Sequence, residues 1–341
     1  MVLEIIEPGL LTTVQDIGRL GYISRGIPPA GAFDNFSFRI GNLLVGNRRG
    51  GPFLIGEENS EAGLEMTLVG PKLRALDDLV IAITGADMSP MLDGNPAPMW
   101  KFIRLKKGSI LSFGTTKQGV RSYLCVAGGI DVPRFLGSRS TFVRGQVGGI
   151  EGRGLKRGDT LKVKDPKIPL ETLDGRYVRQ EVIPKFGNTW TIHVIMGPQD
   201  YLFKEESVKL FLKSEWRASI TMDRMGVRFI GPKLDFKPRP EYVVKVAGTD
   251  PSNIVSDTIP VGGIQVPGGV EPIVCSVEGP GLGGYAKIAT VISTDLSLVA
   301  QVKPRDIVTF SAVTDEEAVE IMRRREELIS EASILRGGDR T

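Results

Sequence analysis

Short apolar-rich runs recur through most of this chain, and turns close the runs. Val2–Ile6 ends at Pro8-Gly9. Leu64–Val69, Leu79–Thr84, Trp100–Leu105, Ser109–Phe113 and Arg121–Val126 follow, separated by turns such as Asp93-Gly94-Asn95-Pro96 and Lys107-Gly108. Runs of this length and spacing predict strands of a barrel or sandwich rather than alternating βαβ units. Beyond a charged, proline-bearing stretch from Lys164 to Lys185, which reads as a domain boundary, strands resume at Thr191–Met196.

Helical spacing is confined to a few places. Asp34 stands where an N-cap would start a helix to about Val45, with Phe33, Ser37, Ile40 and Leu44 on its core face and Gly46-Asn47 closing it. A second helix is expected over roughly Tyr201–Leu212, capped by Asp200. A third follows Thr314, whose partner Glu317 completes a capping box, with Ala318, Ile321, Met322, Leu328 and Ile329 as its apolar stripe. Gly337–Thr341 is expected to fray. Met66–Leu73 and Val227–Leu234 share the run Gly-Pro-Lys-Leu about half a chain apart, which points to two β-rich domains of similar plan.

Composition narrows the chemistry. At 341 residues the chain exceeds one comfortable core. A net charge of +3 with mixed signs argues against nucleic acid or an anionic membrane as partner. No apolar run approaches a membrane span and no basic leader opens the chain, so cytoplasmic residence is expected. Two cysteines and one histidine cannot supply four zinc ligands, and no metal site is expected. His193 lies in the alternating run Trp190–Ile195 and reads as a strand-face residue. Cys125 and Cys275 sit at strand ends and read as buried thiols. Acid–base work then falls to carboxylates, Lys, Tyr or groups helped by Arg.

The densest polar stretch runs from Thr12 to Asn47 and carries Gln15, Asp16, Arg19, Arg25, Asp34, Arg39 and Asn42 among turn-forming Gly and Pro. It reads either as a segment presenting functional side chains or as a long loop with ordinary caps. Asp223-Arg224 is a surface ion pair or an anion clamp. Lys287 is a snorkelling surface lysine or a charge aimed into a cleft, on one strand face with Tyr285 and Ala289. Gly279–Gly284 matches G-x-G-x-x-G formally, but the β-branched run Ile288–Ile292 follows where a nucleotide site needs a helix. Gly-Lys never occurs, so a P-loop is excluded.

Several runs together resemble a known family: Thr12–Arg19, Gly31–Asp34, Asn42–Asn47, Val126–Asp131, Leu136–Thr141, Asp223–Gly226, Gly263–Pro267 and Gly283–Val291. The chain resembles allophanate hydrolase subunit 2, also known as the C component of 5-oxoprolinase, of the biotin-dependent carboxyltransferase family. The same domain forms part of urea carboxylase, and the family includes the antagonist of a sporulation kinase inhibitor. The resemblance implies a mainly β protein of two cyclophilin-like β-barrel domains, 1–165 and 186–312, with a few short helices and a C-terminal helix over 313–335. It implies a hetero-oligomer in which the partner is the kinase-inhibitor-like B component of the same system, with the A component alongside, and a small amide or carboxylate substrate. ATP would act at the level of the assembly, and biotin, where used, would sit on a separate carrier.

The expected cleft set takes Asp16, Asp34, Asp131, Asp223, Tyr285 and Lys287 as catalytic, and Gln15, Arg19, Arg139, Arg224 and Gln265 as substrate-binding. One loop departs from the family pattern: Glu278-Gly279-Pro280-Gly281-Leu282 replaces Asp-Arg-Gln-Thr-Thr, removing an Arg, a Gln and hydroxyls. Pro28-Pro29-Ala30 also precedes Gly31 where a Ser is common. The expected function is therefore a component of an ATP-dependent 5-oxoprolinase, with a urea-carboxylase-type carboxyltransferase component or a non-catalytic binder of a kinase-inhibitor-like partner as alternatives.

Overall fold

The computed structural model describes residues 1–52 and 59–337; the end of the tail expected to fray, 338–341, lies outside them. The chain is mainly β and divides into two compact units. The first holds Met1–Arg19, Ala30–Phe186 and Arg324–Thr341; the second holds Leu20–Pro29 and Gly187–Arg323. The stretch 166–186 thus belongs to the first unit, and the segment Leu20–Pro29 to the second.

In the first unit two antiparallel sheets enclose one apolar core. One runs Thr160–Lys162, Val2–Glu7, Lys72–Ala75, Ile110–Ser112, Met91–Leu92, Asn95–Pro96, and the other Leu11–Gln15, Gly63–Thr67, Arg121–Val126, Leu79–Gly85, Phe102–Leu105. Period-two alternation places Leu3 and Ile5 of the first sheet against Leu64, Met66, Ile81, Ile83 and Leu124 of the second. The second sheet is apolar on both faces, because the helix Asn35–Leu44 covers its other side with Phe38, Ile40 and Leu44 against Val80, Ala82, Tyr123 and Cys125. Asp34 caps that helix through both side-chain oxygens, accepting from the Ser37 amide at 3.0 Å and its hydroxyl at 2.6 Å.

In the second unit seven strands close into a barrel, in the order Thr189–Met196, Lys287–Val291, Gly263–Gln265, Ile273–Cys275, Gly226–Ile230, Trp216–Met222, Ile307–Ala312. Thr189–Met196 and Ile307–Ala312 pair in parallel, and the other neighbours in the barrel pair antiparallel. Phe310 stacks on Phe211 at 4.7 Å and meets Phe229 edge-on at 5.6 Å, anchoring the helix Glu205–Lys213 to the barrel. Outside the barrel, Asn253–Thr258 and Leu282–Tyr285 form a two-stranded ribbon paired only with itself among the described residues.

Two local expectations need correction. Asp200 does not cap the second helix, because Phe203 and Lys204 are held extended by a bridge to Phe236 and by the bond from Lys204 N to Asp235 O; Asp200 lies instead in a separate single turn, Asp200–Leu202. Tyr285 and Lys287 do not share a strand: Ala286 N bonds to Ser252 O at 2.8 Å, which ends the ribbon, and Lys287 begins a barrel strand. As the β-branched run Ile288–Ile292 suggests, Gly279–Gly284 runs directly into strands and opens no helix. The capping box is present, with Thr314 N donating to Glu317 at 2.9 Å and Glu317 N to the Thr314 hydroxyl at 3.2 Å. Among the described residues no helix is long and apolar enough to cross a membrane.

Candidate functional site

The sequence-selected residues fall into both units. In the first unit, Asp16 is buried and anchors a turn. Its Oδ1 accepts from the Gly18 amide at 2.9 Å and from the hydroxyls of Ser138 and Ser140, both at 2.6 Å; its Oδ2 accepts from the Arg139 amide at 2.6 Å. The loop Gly137–Thr141 is therefore tied to the end of the strand Leu11–Gln15. Gln15 completes the tie, donating to Thr13 and to the Thr141 carbonyl at 3.1 Å while accepting from the Gly31 amide at 3.1 Å. Arg19 is buried, donates to Ser140 O and lies 5.7 Å over the Phe135 ring. Arg139 donates to Val132 O at 3.0 Å and reaches Asp131, half-exposed, at 3.6 Å. Asp34 stands apart from these as a helix cap.

A buried network that the sequence reading missed lies in the same unit. Glu65 Oε2 accepts from the Phe33 amide at 2.9 Å and the Tyr123 hydroxyl at 2.8 Å, and Arg121 lies 3.5 Å from Glu65 Oε1 and 4.7 Å over the Phe33 ring. Burial, then the charge of Glu65, pushes the Tyr123 phenol well above its usual range, so it acts as a fixed hydrogen-bond donor. These bonds hold the turn before the helix Asn35–Leu44.

The second unit carries a separate buried polar group. Lys287 is 0% exposed and Gln265 6%. They are cross-strand partners in the register of Gly263–Gln265 against Lys287–Val291, which places their Cβ atoms roughly 5 Å apart. Lys287 Nζ donates to Asp257 Oδ2 at 3.2 Å, and Gln199 Nε2 donates to the same oxygen at 3.0 Å. Gln199 Oε1 in turn accepts from the Lys287 amide at 3.1 Å. Asp257 is held below the usual carboxylate range, first by the Thr258 amide and then by Lys287. Gln265 Oε1 faces Cys275 Sγ at 3.7 Å, while Gln265 Nε2 has no acceptor among the described residues although it is buried. A buried amide donor left unpaired costs about 1–3 kcal/mol.

Of the other residues selected in this unit, Asp223 turns back on the amides of Met225 and Gly226, Arg224 pairs with buried Glu278, and Tyr285 is partly exposed on the ribbon. Gln199 and Asp257, both in contact with Lys287, gave no local signal in the sequence.

The family model described as carboxyltransferase domain, subdomain A and B matches residues 25–312, and the chain belongs to that family. It is 36% identical over 339 residues to a urea amidolyase of Lachancea kluyveri, covering 96% of this chain and 18% of that protein. It is 33% identical over 327 residues to the C component of the 5-oxoprolinase of Haemophilus influenzae, covering 95% and 96%. The crystal structure of the Kluyveromyces lactis urea carboxylase superposes with a TM-score of 0.88 at 34% identity, over 99% of this chain and 31% of that one. The chain thus spans less than a fifth of the urea amidolyase that it matches and almost the whole of the 5-oxoprolinase component. Both names are those of enzymes or enzyme components.

Proposed function

We propose that this chain is the C component of a 5-oxoprolinase-like amidohydrolase, which opens 5-oxoproline to glutamate with ATP and works with a kinase-inhibitor-like B component and an A component. The reading stands on the pair of Lys287 and Gln265: a buried ammonium beside a buried amide donor with no acceptor among the described residues. A ring bearing both a carboxylate and a lactam carbonyl presents the two acceptors that such a pair needs. The near full-length match to a 5-oxoprolinase C component supports the same reading.

In this reading the chain's own residues bind and orient. Lys287 holds the carboxylate, Gln265 fixes the carbonyl oxygen, and Gln199 holds the Lys287 backbone in register. ATP supplies activation of the amide oxygen at the level of the assembly. The residues present do not fit ATP at Gly279–Gly284, since the loop runs into strands and offers no helix terminus.

A second reading, a carboxyltransferase component of urea-carboxylase type, is favoured by the family description and by the 36% identity to a urea amidolyase. Biotin would then arrive on another protein, and Gln265 Nε2 would meet its ureido oxygen. The deciding experiment is ATP-dependent opening of 5-oxoproline by the chain mixed with candidate A and B components, each omitted in turn. Turnover that vanishes without this chain, and with Lys287→Met, supports the first reading. Absent turnover beside a stable complex with the B component removes it in favour of another substrate or a regulatory binder.

A further inference from the structure

The counter-charge of Lys287 comes from outside the barrel. A fully buried ammonium has to be compensated, and among the described residues its one carboxylate partner is Asp257, on the ribbon Asn253–Thr258. That ribbon pairs only with Leu282–Tyr285 among the described residues, and its register slips between Asn253 and Asp257. Two-stranded ribbons are marginal by themselves. Val255 and Leu282 are exposed on it. The Asp257 side chain is 45% exposed, so water already solvates the carboxylate that neutralises the buried lysine.

The same ribbon covers Gln265. A Cβ added at Gly283 would lie 2.9 Å from Gln265 Nε2, so the unpaired amide faces the ribbon backbone. The ribbon therefore lies over two adjacent donors, filling one with its own carboxylate and leaving the other empty.

Resting on the reading of this site given above, we propose that Asp257 stands in for a ligand carboxylate. A small molecule carrying a carboxylate and an amide displaces it, placing the carboxylate on Lys287 Nζ and the carbonyl oxygen on Gln265 Nε2. The ribbon is then a latch: the carboxylate it withdraws regains full hydration, and the one that replaces it brings the acceptor that Gln265 lacks. Charge on Lys287 stays balanced throughout. Specificity follows, since an amide without a carboxylate cannot replace Asp257.

The test measures calorimetric affinities of the intact chain for succinamate, which carries both groups, and for 2-pyrrolidone, which carries the amide alone. Asp257→Asn keeps one oxygen acceptor, on the side of Gln199 or of the Thr258 amide, and removes the competing charge. It is expected to tighten succinamate at least tenfold and leave 2-pyrrolidone unchanged. Lys287→Met in the Asp257→Asn background is expected to remove the gain. Should the double variant fail to fold, the comparison of wild type with Asp257→Asn still decides the matter. Unchanged or weaker succinamate binding in Asp257→Asn, or equal tightening of both ligands, overturns the proposal. Succinamate behaving as expected while 5-oxoproline is never turned over leaves the latch standing and removes the 5-oxoprolinase reading; turnover with no effect of Asp257→Asn does the reverse.

Discussion

Arg224 Nε donates to Glu278 Oε1 at 2.6 Å, with both side chains buried, and the Glu278 amide donates back to the Arg224 carbonyl at 2.9 Å. Asp223, the neighbour that the sequence offers Arg224, accepts from the amides of Met225 and Gly226. Glu278 opens the loop Glu278–Leu282, so the pair anchors that loop to the Asp223–Gly226 turn.

Removing one member of a buried ion pair strands the other. Glu278→Ala is expected to lower unfolding stability by about 3–5 kcal/mol, read from denaturant midpoints at constant m. The double replacement Arg224→Met with Glu278→Leu is expected to cost less than either single change. A Glu278→Ala midpoint equal to that of the wild type would show that the pair contributes nothing.

Asp16 reads from its sequence as a catalytic carboxylate, and its four hydrogen bonds argue for a different job. Asp16→Asn turns one of the two acceptors into a donor, facing either the Ser138 and Ser140 hydroxyls or the Arg139 amide, and removes the charge that all of them bond to. The expected loss is about 2–3 kcal/mol of stability, as for hydrogen bonds to charged groups. Ligand binding at Lys287 is expected to persist in the folded fraction. Full stability with lost turnover would return Asp16 to catalysis.

What the sequence made legible was local. The helix Asn35–Leu44 shows because Asp34 and Ser37 carry its cap and its period within ten residues, and Thr314 with Glu317 does the same for the helix Asp315–Leu328. The strand Leu79–Gly85 shows because an uninterrupted apolar and β-branched run fits a sheet covered on both faces. Contacts made across the fold did not show. Glu65 reads as a polar strand residue until Tyr123 and Phe33 are brought to it, and Asp257 as an ordinary surface acid until the ribbon sets it on Lys287. Nor does any change in composition announce that Leu20–Pro29 joins the second unit.

The two thiols give a pH-dependent prediction. Burial pushes Cys125 well up and Cys275 up to about 12, the latter opposed in part by Lys287 and Arg228. A thiol raised in the folded state binds its proton more tightly there than when unfolded. Its contribution is fully present below the ordinary thiol value of about 8.5 and is lost as pH rises from there toward the folded value. Ellman's reagent at pH 8 is expected to leave the native protein unlabelled and to titrate both cysteines after unfolding. Fast labelling of one thiol in the native state would place it at an accessible surface.

Glu326 sets the behaviour in acid. Burial alone would raise its carboxyl, but Arg39, bonded through Nη1 at 2.5 Å and Nη2 at 2.7 Å, and Arg49 at 3.2 Å hold it below the usual range. Glu61 follows the same pattern: burial would raise it, and Lys164 and Arg48 lower it. A depressed carboxyl contributes stability that is present above its unfolded value, about 4.3 for Glu, and is lost as pH falls through the folded value. Glu326→Gln keeps the shape and removes the charge from Arg39, which is itself buried. The expected difference from the wild type is about 2–3 kcal/mol near neutral pH, shrinking steadily below about pH 4 as the wild-type carboxyl takes up its proton. Denaturant titrations at a series of pH values read this directly. Parallel stability curves for the two proteins down to the acid limit would mean that the Arg39–Glu326 bond carries no net charge term.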